Sequence, residues 1–95
     1  MSVLWIAHVD VTDEAAYGAY VKVASEAIPA HGGVFIHRGG AYVQLEGKDH
    51  PRNVVARFPD MASAQACYNS PDYQAVLPVA QGASNRSIVL LEVDE

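Results

Sequence analysis

Four short apolar runs along the chain predict four β-strands. Residues 3–9 and 87–93 are almost continuously apolar, are too short for typical helices and are rich in residues that favour strands. Residues 53–58 form a third run of the same kind. A fourth begins at residues 33–37 and continues through residues 42–45. The pattern therefore predicts a sheet protein with two long outer runs in sequence and two shorter runs between them.

Two glycines, Gly39 and Gly40, interrupt the run that begins at residue 33. They fit a two-residue hairpin turn, and they also fit a bend within one long strand. We favour the bend, because a hairpin would add a fifth strand to an otherwise symmetric pattern. The polar segment 46–51 follows as a loop.

Apolar residues spaced by three and four positions predict a helix after the first strand. Thr12 or Asp13 provides its N-cap. Pro29 and the glycines at positions 32–33 end it. The predicted apolar face of this helix consists of Tyr17, Tyr20, Val21, Ala24 and Ile28.

The segment after the third strand contains two helix start signals. Asp60 caps one helix, and Ser70 caps a further helical segment with Pro71 at its first position. Pro78 cannot continue a regular helix, so this segment is predicted to stop or kink there. Residues 81–86 are then predicted to form a loop before the last strand.

The order strand, helix, strand, strand, helix, strand is typical of a split β-α-β unit. It predicts an α+β fold of the ferredoxin-like type, with a four-stranded antiparallel sheet and two main helices on one face. The chain has 95 residues, which is the size of a single domain, so we expect one domain over residues 1–95.

The strands are apolar on both of their faces, which predicts a partner for the sheet. Residues 3–7 and 88–91 carry apolar side chains at both parities, so both surfaces of the sheet need to be covered. The helices cover one surface, and soluble monomers seldom expose a large apolar patch. We expect a second copy of the chain to cover the other surface in a homodimeric α/β barrel. The alternative is a monomer in which long side chains and loops shield that surface.

Charge and cysteine content exclude several classes of partner. The net charge is −5, and the six Lys and Arg residues are scattered singly, so we expect neither nucleic-acid binding nor attraction to an anionic membrane. One cysteine, Cys67, suits a reducing compartment. The N-terminus lacks the pattern of a secretory signal, and the simplest expectation is a cytoplasmic protein.

Three blocks of the chain resemble a family of short, mostly bacterial proteins. They are positions 5–13 with the tyrosines that follow, the Arg-Gly-Gly at positions 38–40, and positions 58–73 followed by Gln-Ala-Val-Leu-Pro. The combination of Arg-Gly-Gly with Tyr-x-Ser-Pro-x-Tyr-Gln is similar to the domain-of-unknown-function family thirteen-thirty, within the dimeric α/β-barrel superfamily. The resemblance implies a ferredoxin-like fold and a homodimer. Related branches of that superfamily include cofactor-free quinol oxygenases, haem-degrading oxygenases and lactone isomerases, an analogy at the level of the fold.

Two polar residues on the predicted strands are candidates for a pocket. His8 lies in mid-strand among apolar residues, where its imidazole could act as a base or bind a ligand. A histidine in such a position more often bonds to a neighbouring group of the protein, and we favour that interpretation. Arg38 could hold a carboxylate or an enolate oxygen, or it could pair with Glu46 or Asp10 to fix the bend.

Three tyrosines complete the candidate pocket, namely Tyr17, Tyr68 and Tyr73. Aromatic residues at helical spacing usually belong to the core, but their hydroxyl groups need partners. The spacing of the histidines and the single cysteine predict no metal site, and the sequence indicates no cofactor.

Two hypotheses about function follow. In the first, a pocket between sheet and helices binds or transforms a small aromatic or carbonyl-type molecule, in the manner of cofactor-free oxygenases or isomerases. In the second, the protein is a non-catalytic dimeric binding or structural module. The sequence does not decide whether the protein is an enzyme.

Overall fold

The computed structural model describes residues 1–94 and contains the predicted four-stranded antiparallel sheet. The strands are β1 (Ser2–Val11), β2 (Val34–Arg38), β3 (Arg52–Phe58) and β4 (Ser84–Val93). Their lateral order is β2-β3-β1-β4, so the long β1 lies between β3 and β4. The predicted split β-α-β arrangement is thereby confirmed.

Three helices are present in residues 1–94, so the expected count of two helices is wrong. They are α1 (Glu14–Ala30), α2 (Met61–Tyr68) and α3 (Pro71–Gly82). Each begins at a side-chain cap, because Asp13, Asp60 and Ser70 accept hydrogen bonds from backbone N–H groups three residues later. The cap at Ser70 separates α2 from α3 and accounts for the additional helix. Within this part of the chain, no helix is long and apolar enough to cross a membrane.

The C-terminal end of α3 differs from the sequence prediction. The helix continues through Pro78 to Gly82, and β4 starts at Ser84, so the predicted loop over residues 81–86 does not form. Ala80 is fully buried, and the Ser84 hydroxyl donates a hydrogen bond of 2.5 Å to its carbonyl oxygen. The packing of this last turn stabilises the helix by more than the loss of one backbone hydrogen bond at Pro78 destabilises it.

The predicted continuation of the second strand through residues 42–45 is also wrong. β2 ends at Arg38, and Gly39 adopts a left-handed φ of 71° while its N–H donates to the Asn53 carbonyl. Because β3 begins at Arg52, no strand lies opposite the residues after Gly39. The two glycines therefore form neither a bend within one strand nor a hairpin between strands, and a loop extends from there to β3.

One face of the sheet forms the core with the three helices. Along β1, Val3, Trp5, Ala7 and Val9 are buried, whereas the residues between them are half-buried or exposed. This alternation places the helices on a single face of the sheet. Trp5 is the largest fully buried side chain, and its ring centroid lies 5.8 Å from that of Phe58.

The opposite face of the sheet, called the open face below, carries apolar side chains without a helix over them. Val89 and Leu91 of β4 are each 45% exposed there, beside the half-buried Leu4 and Ile6 of β1. His8 lies on the same face, because strand alternation gives it the parity of Ile6.

Candidate functional site

Arg86 joins three tyrosines at the centre of the helix-covered face. Its register opposite Val9 directs it toward the helices, where its Nη2 donates to the Tyr73 hydroxyl at 3.3 Å and its Nη1 to the Tyr17 hydroxyl at 3.5 Å. Its Cζ atom lies 4.4 Å from the ring centroid of Tyr20. We call Tyr17, Tyr20, Tyr73 and Arg86 the tyrosine–arginine cluster.

Helix geometry accounts for the convergence of the tyrosines. Tyr17 and Tyr20 are three positions apart on α1, so they share the face that meets the sheet. Tyr73 enters from the first turn of α3, which the Ser70 cap fixes. The Tyr20 and Tyr73 hydroxyl oxygens are 2.6 Å apart, and the two rings pack edge to face at 5.6 Å.

Burial determines the protonation of the cluster. It raises the pKa of Tyr73, and Tyr20 adds to that effect, while Arg86 opposes it. The pKa of Tyr17 is raised in the same way, first by burial. Burial lowers the pKa of Arg86, but Tyr20 and Tyr73 raise it more strongly, and the net direction is upward. At neutral pH the Arg86 guanidinium is therefore cationic, and the phenol groups of Tyr17 and Tyr73 are neutral.

The same arginine lines a cleft of about 400 Å³ between β4 and the helices α2 and α3. We call it the β4 cleft. Trp5, Tyr68 and Leu77 form part of its apolar wall, and the guanidinium of Arg86 provides a cationic group. The remaining lining residues are Gln65, Asn69, Gln81, Ile88 and Leu90. A cleft of this size with apolar walls and a few polar groups suits a small organic molecule.

His8 lies away from the tyrosine–arginine cluster, on the open face. Its Nδ1 is 2.7 Å from Asn53 Oδ1, and Asn53 Nδ2 donates to the His50 carbonyl at 2.9 Å. Because the amide nitrogen of Asn53 is thus oriented toward a carbonyl, its oxygen faces His8 and accepts a hydrogen from Nδ1. The imidazole is bonded to protein, and His8 does not line the β4 cleft.

Arg38 lies at the far end of the sheet, on β2. Its Nη2 donates to the Ser25 hydroxyl at 2.5 Å, and its Cζ is 4.0 Å above the Phe35 ring. Of the two carboxylates considered as its partners, Asp10 instead pairs with Lys48 at 3.9 Å. The partners of Arg38 are thus the Ser25 hydroxyl and the Phe35 ring.

The structure brings three of the five candidate residues together. Tyr17 and Tyr73 contact Arg86, and the Tyr68 ring lies 5.2 Å from that of Tyr73. His8 and Arg38 lie elsewhere. Sequence reasoning missed Arg86 because it assigned that position to a loop. The sequence signal that could have found Arg86 is its spacing of two and four positions from Ile88 and Leu90. If the last strand begins before residue 86, this spacing places all three side chains on one face.

Other reactive groups are not assembled into a site. Cys67 is a buried thiol whose pKa burial raises to about 11, so it is protonated and weakly nucleophilic at neutral pH. Over residues 1–94, no three His, Cys, Asp or Glu side chains come together as metal ligands would.

Comparison with known proteins identifies a family and a fold. The model of a family described as "domain of unknown function (DUF1330)" matches residues 2–93. No curated protein matches the chain. A solved protein of unknown function from Rhodopseudomonas palustris has a TM-score of 0.82 at 17% identity, over 99% of this chain and 83% of that one.

Two further solved structures are similar in fold. One is described as a dimeric ferredoxin-like protein of unknown function from Jannaschia sp. CCS1, with a TM-score of 0.77 and 16% identity over 98% of this chain and all 100% of that one. The other is SnoaB, a cofactor-independent oxygenase from Streptomyces nogalater, with a TM-score of 0.69 and 13% identity over 99% and 94% of the two chains. At these identities the likeness shows the ferredoxin-like fold alone.

Proposed function

The chain belongs to the DUF1330 family of domains of unknown function, and we propose that it binds a planar aromatic or carbonyl-type molecule in the β4 cleft. The observation that carries this proposal is the position of Arg86, whose guanidinium is the one charged group in the lining of a mixed apolar and amide-bearing cleft and is held from behind by Tyr17 and Tyr73. A phenol, quinol or enolisable carbonyl compound matches such walls and offers one oxygen to the cation.

The fixed orientation of Arg86 supports a role with a developing oxyanion. Tyrosine hydroxyls accept two of its hydrogen bonds, so the guanidinium is oriented before a ligand arrives. A preoriented cation of this kind stabilises a phenolate or enolate oxygen. No carboxylate or imidazole belongs to the lining, all of which lies within residues 1–94. A substrate of this site would have to lose its proton without one of these bases, which favours acidic phenols and enols.

Cofactor-free oxygenation or isomerisation is the reaction class that this arrangement supports. Both reactions proceed from a resonance-stabilised carbanion or enolate, a species that the Arg86 guanidinium would stabilise. SnoaB, which shares the fold, is described as a cofactor-independent oxygenase. This likeness supports cofactor-free oxygenation as a reaction class, but it matches no residue of SnoaB to a residue of this chain.

A ligand titration tests the proposal through Trp5, the single tryptophan of the chain and a wall of the cleft. Its indole N–H gives one NMR signal. We expect 2-naphthol to shift this signal saturably, and naphthalene, which lacks the oxygen, to bind about tenfold more weakly because it cannot accept a charge-assisted hydrogen bond. Uptake of O₂ by bound 1,4-dihydroxynaphthalene, compared with the free quinol, then reports turnover.

Two arginine variants separate the role of the cation from a general loss of charge. Arg86→Gln should bring 2-naphthol binding down to the level of naphthalene. Arg38→Gln, which removes the same charge at the other end of the sheet, should leave 2-naphthol binding unchanged. The proposal fails if 2-naphthol causes no saturable shift, or if both variants bind it as the unchanged protein does.

The alternative function is a non-catalytic dimeric module, and one observation favours it. Within residues 1–94, every buried side-chain nitrogen and oxygen has a hydrogen-bond partner, so the tyrosine–arginine cluster has no unmet need for a ligand. Saturable binding of 2-naphthol that depends on Arg86 would contradict this alternative.

Self-association through the open face belongs to the same proposal. The exposed Val89 and Leu91 lie on that face beside Leu4 and Ile6, and a second copy would remove them from water. Solved proteins of the same fold from Jannaschia and Thermobifida fusca are described as dimeric. The single buried cysteine still predicts a cytoplasmic location.

A further inference from the structure

Two guanidinium groups line one small pocket at the β2 end of the sheet. Arg38 lies opposite Val54 of β3, and Arg52 is two positions before Val54, so strand alternation directs both arginines to the face that α1 covers. Both line a pocket of about 30 Å³, together with Ser25 of α1. We call it the two-arginine pocket, and it shares Trp5 alone with the lining of the β4 cleft.

Neither arginine of this pocket forms an ion pair with a carboxylate of the described residues. Among residues 1–94, no Asp or Glu forms an ion pair with Arg38 or Arg52, and Asp10 is engaged by Lys48. The chain has only six Lys and Arg residues and a net charge of −5. Two arginines that line the same pocket without an ion pair are therefore unusual in this chain. Two like charges at one pocket repel each other, and a bound anion relieves that repulsion.

The donors of both side chains remain available in part. Arg38 uses one nitrogen on the Ser25 hydroxyl and rests its plane on the Phe35 ring. A guanidinium has five N–H donors, so this contact orients the group while leaving donors free. At Gly39, an added Cβ would come within 3.4 Å of Arg52 Nη1, so the absence of a side chain there leaves space beside the Arg52 guanidinium.

A larger cleft adjoins the two-arginine pocket and shares Arg52 with it. This cleft of about 390 Å³ is walled by Val11, Tyr17 and Val21, which provide apolar and aromatic surface for the body of a ligand. Asp10 and Glu14 also line it, and their charges disfavour an anion with two negative charges. A singly charged planar group matches both the arginine forks and this acidic rim.

From these contacts we infer that Arg38 and Arg52 form a binding site for a small aromatic monocarboxylate, with the carboxylate between the two guanidinium groups and the ring beside Tyr17. Arg52 and Arg86 lie on either side of Val9, and the two sites share only Trp5 in their linings. The carboxylate site does not depend on the function proposed for the β4 cleft.

The test is an NMR titration of the full chain with benzoate at constant ionic strength. We expect saturable shifts of the backbone amides of Ser25, Gly39 and Arg52. Benzyl alcohol, which has the ring without the charge, should bind at least about tenfold more weakly, since charge-assisted hydrogen bonds are lost. Phenyl phosphate should also bind more weakly than benzoate, because Asp10 and Glu14 repel its second charge.

Four variants make the result specific. Arg38→Gln and Arg52→Gln should each weaken benzoate binding about tenfold, and Arg52→Lys should restore part of the loss at that position. Lys22→Gln, which removes an exposed positive charge of α1, should leave it unchanged. Equal binding of benzoate and benzyl alcohol, or benzoate binding that survives both Arg38→Gln and Arg52→Gln, would overturn the inference. Tighter binding of phenyl phosphate would overturn the choice of a carboxylate.

Discussion

The hydroxyl oxygens of Tyr20 and Tyr73 lie 2.6 Å apart in the buried core, although 53 positions separate the two residues in the chain. The contact joins α1 to α3, and Arg86 brings β4 into the same cluster through Tyr73. One polar cluster therefore connects α1 with the distant α3 and β4. Such a connection inside an apolar core stabilises the fold only while every member keeps its partner.

The first prediction concerns the Tyr73 hydroxyl. Tyr73→Phe removes one of the two hydroxyl acceptors of Arg86 and the partner of Tyr20, so we expect the free energy of unfolding to fall by about 1–3 kcal/mol. Urea denaturation followed by circular dichroism measures the change. Tyr68→Phe is the matched control, because the Tyr68 hydroxyl has no hydrogen-bond partner within residues 1–94 and its loss should change little. Equal effects of the two variants would contradict the role of the cluster.

The second prediction is a loss of stability at alkaline pH. Burial raises the pKa of Tyr73 and Tyr17 above the ordinary value of 10.0, so the folded state holds these protons after the unfolded chain has begun to release them. Stability from this source is constant below about pH 10 and decreases as the pH rises further, by up to about 1.4 kcal/mol per pH unit for each group. Urea denaturation across this range gives the slope.

Two variants assign that slope to the tyrosines. Burial also raises the pKa of Cys67, to about 11, so the series is measured in a Cys67→Ala background. In that background, Tyr73→Phe should make the alkaline decrease shallower. An unchanged slope would mean that Tyr73 does not retain its proton in the folded protein.

The third prediction contrasts two glycines. A Cβ at Gly33 would lie 2.6 Å from Ile28 Cγ2 and 2.8 Å from Phe58 Cζ, so Gly33→Ala should destabilise the protein by about 1–3 kcal/mol through overpacking. Gly18 is inside α1, and nothing lies within 4 Å of the corresponding position. Gly18→Ala should therefore stabilise the protein by about 0.5–1 kcal/mol. Thermal unfolding of both variants provides the comparison, and changes of the same sign would refute it.

Local signals were sufficient to predict most of the fold. Asp13, Asp60 and Ser70 act as helix caps because their side chains bond locally, and such contacts can be inferred from neighbouring residues alone. The strand assignments at both ends of the chain followed from short apolar runs in the same way. The continuation of α3 through Pro78 depended instead on the burial of Ala80, a tertiary contact.

The candidate site was less predictable, because it depends on which strand lies opposite which. Residues 42–45 have strand-like composition but no strand beside them, so they lie in a loop. Arg86 lies among Ser84, Asn85 and Ser87, a polar run that resembles a loop until its pairing with β1 is known. His8 and Arg38 were grouped with the tyrosines as polar residues on predicted strands. The register places His8 on the open face, and the strand order places Arg38 on β2, at the opposite edge of the sheet from Arg86.

The fourth prediction concerns the apolar open face. Leu91→Asp places a charge on a surface that a second copy is proposed to cover, so it should convert a dimer into a monomer of 10.2 kDa. Light scattering coupled to size exclusion measures the mass. Ala75→Asp, on the exposed side of α3, is the matched control and should leave the dimer intact. The unchanged protein eluting as a monomer at micromolar concentration would refute the dimer. A Leu91→Asp dimer would instead move the interface away from the open face, whose apolar residues would then need another cover.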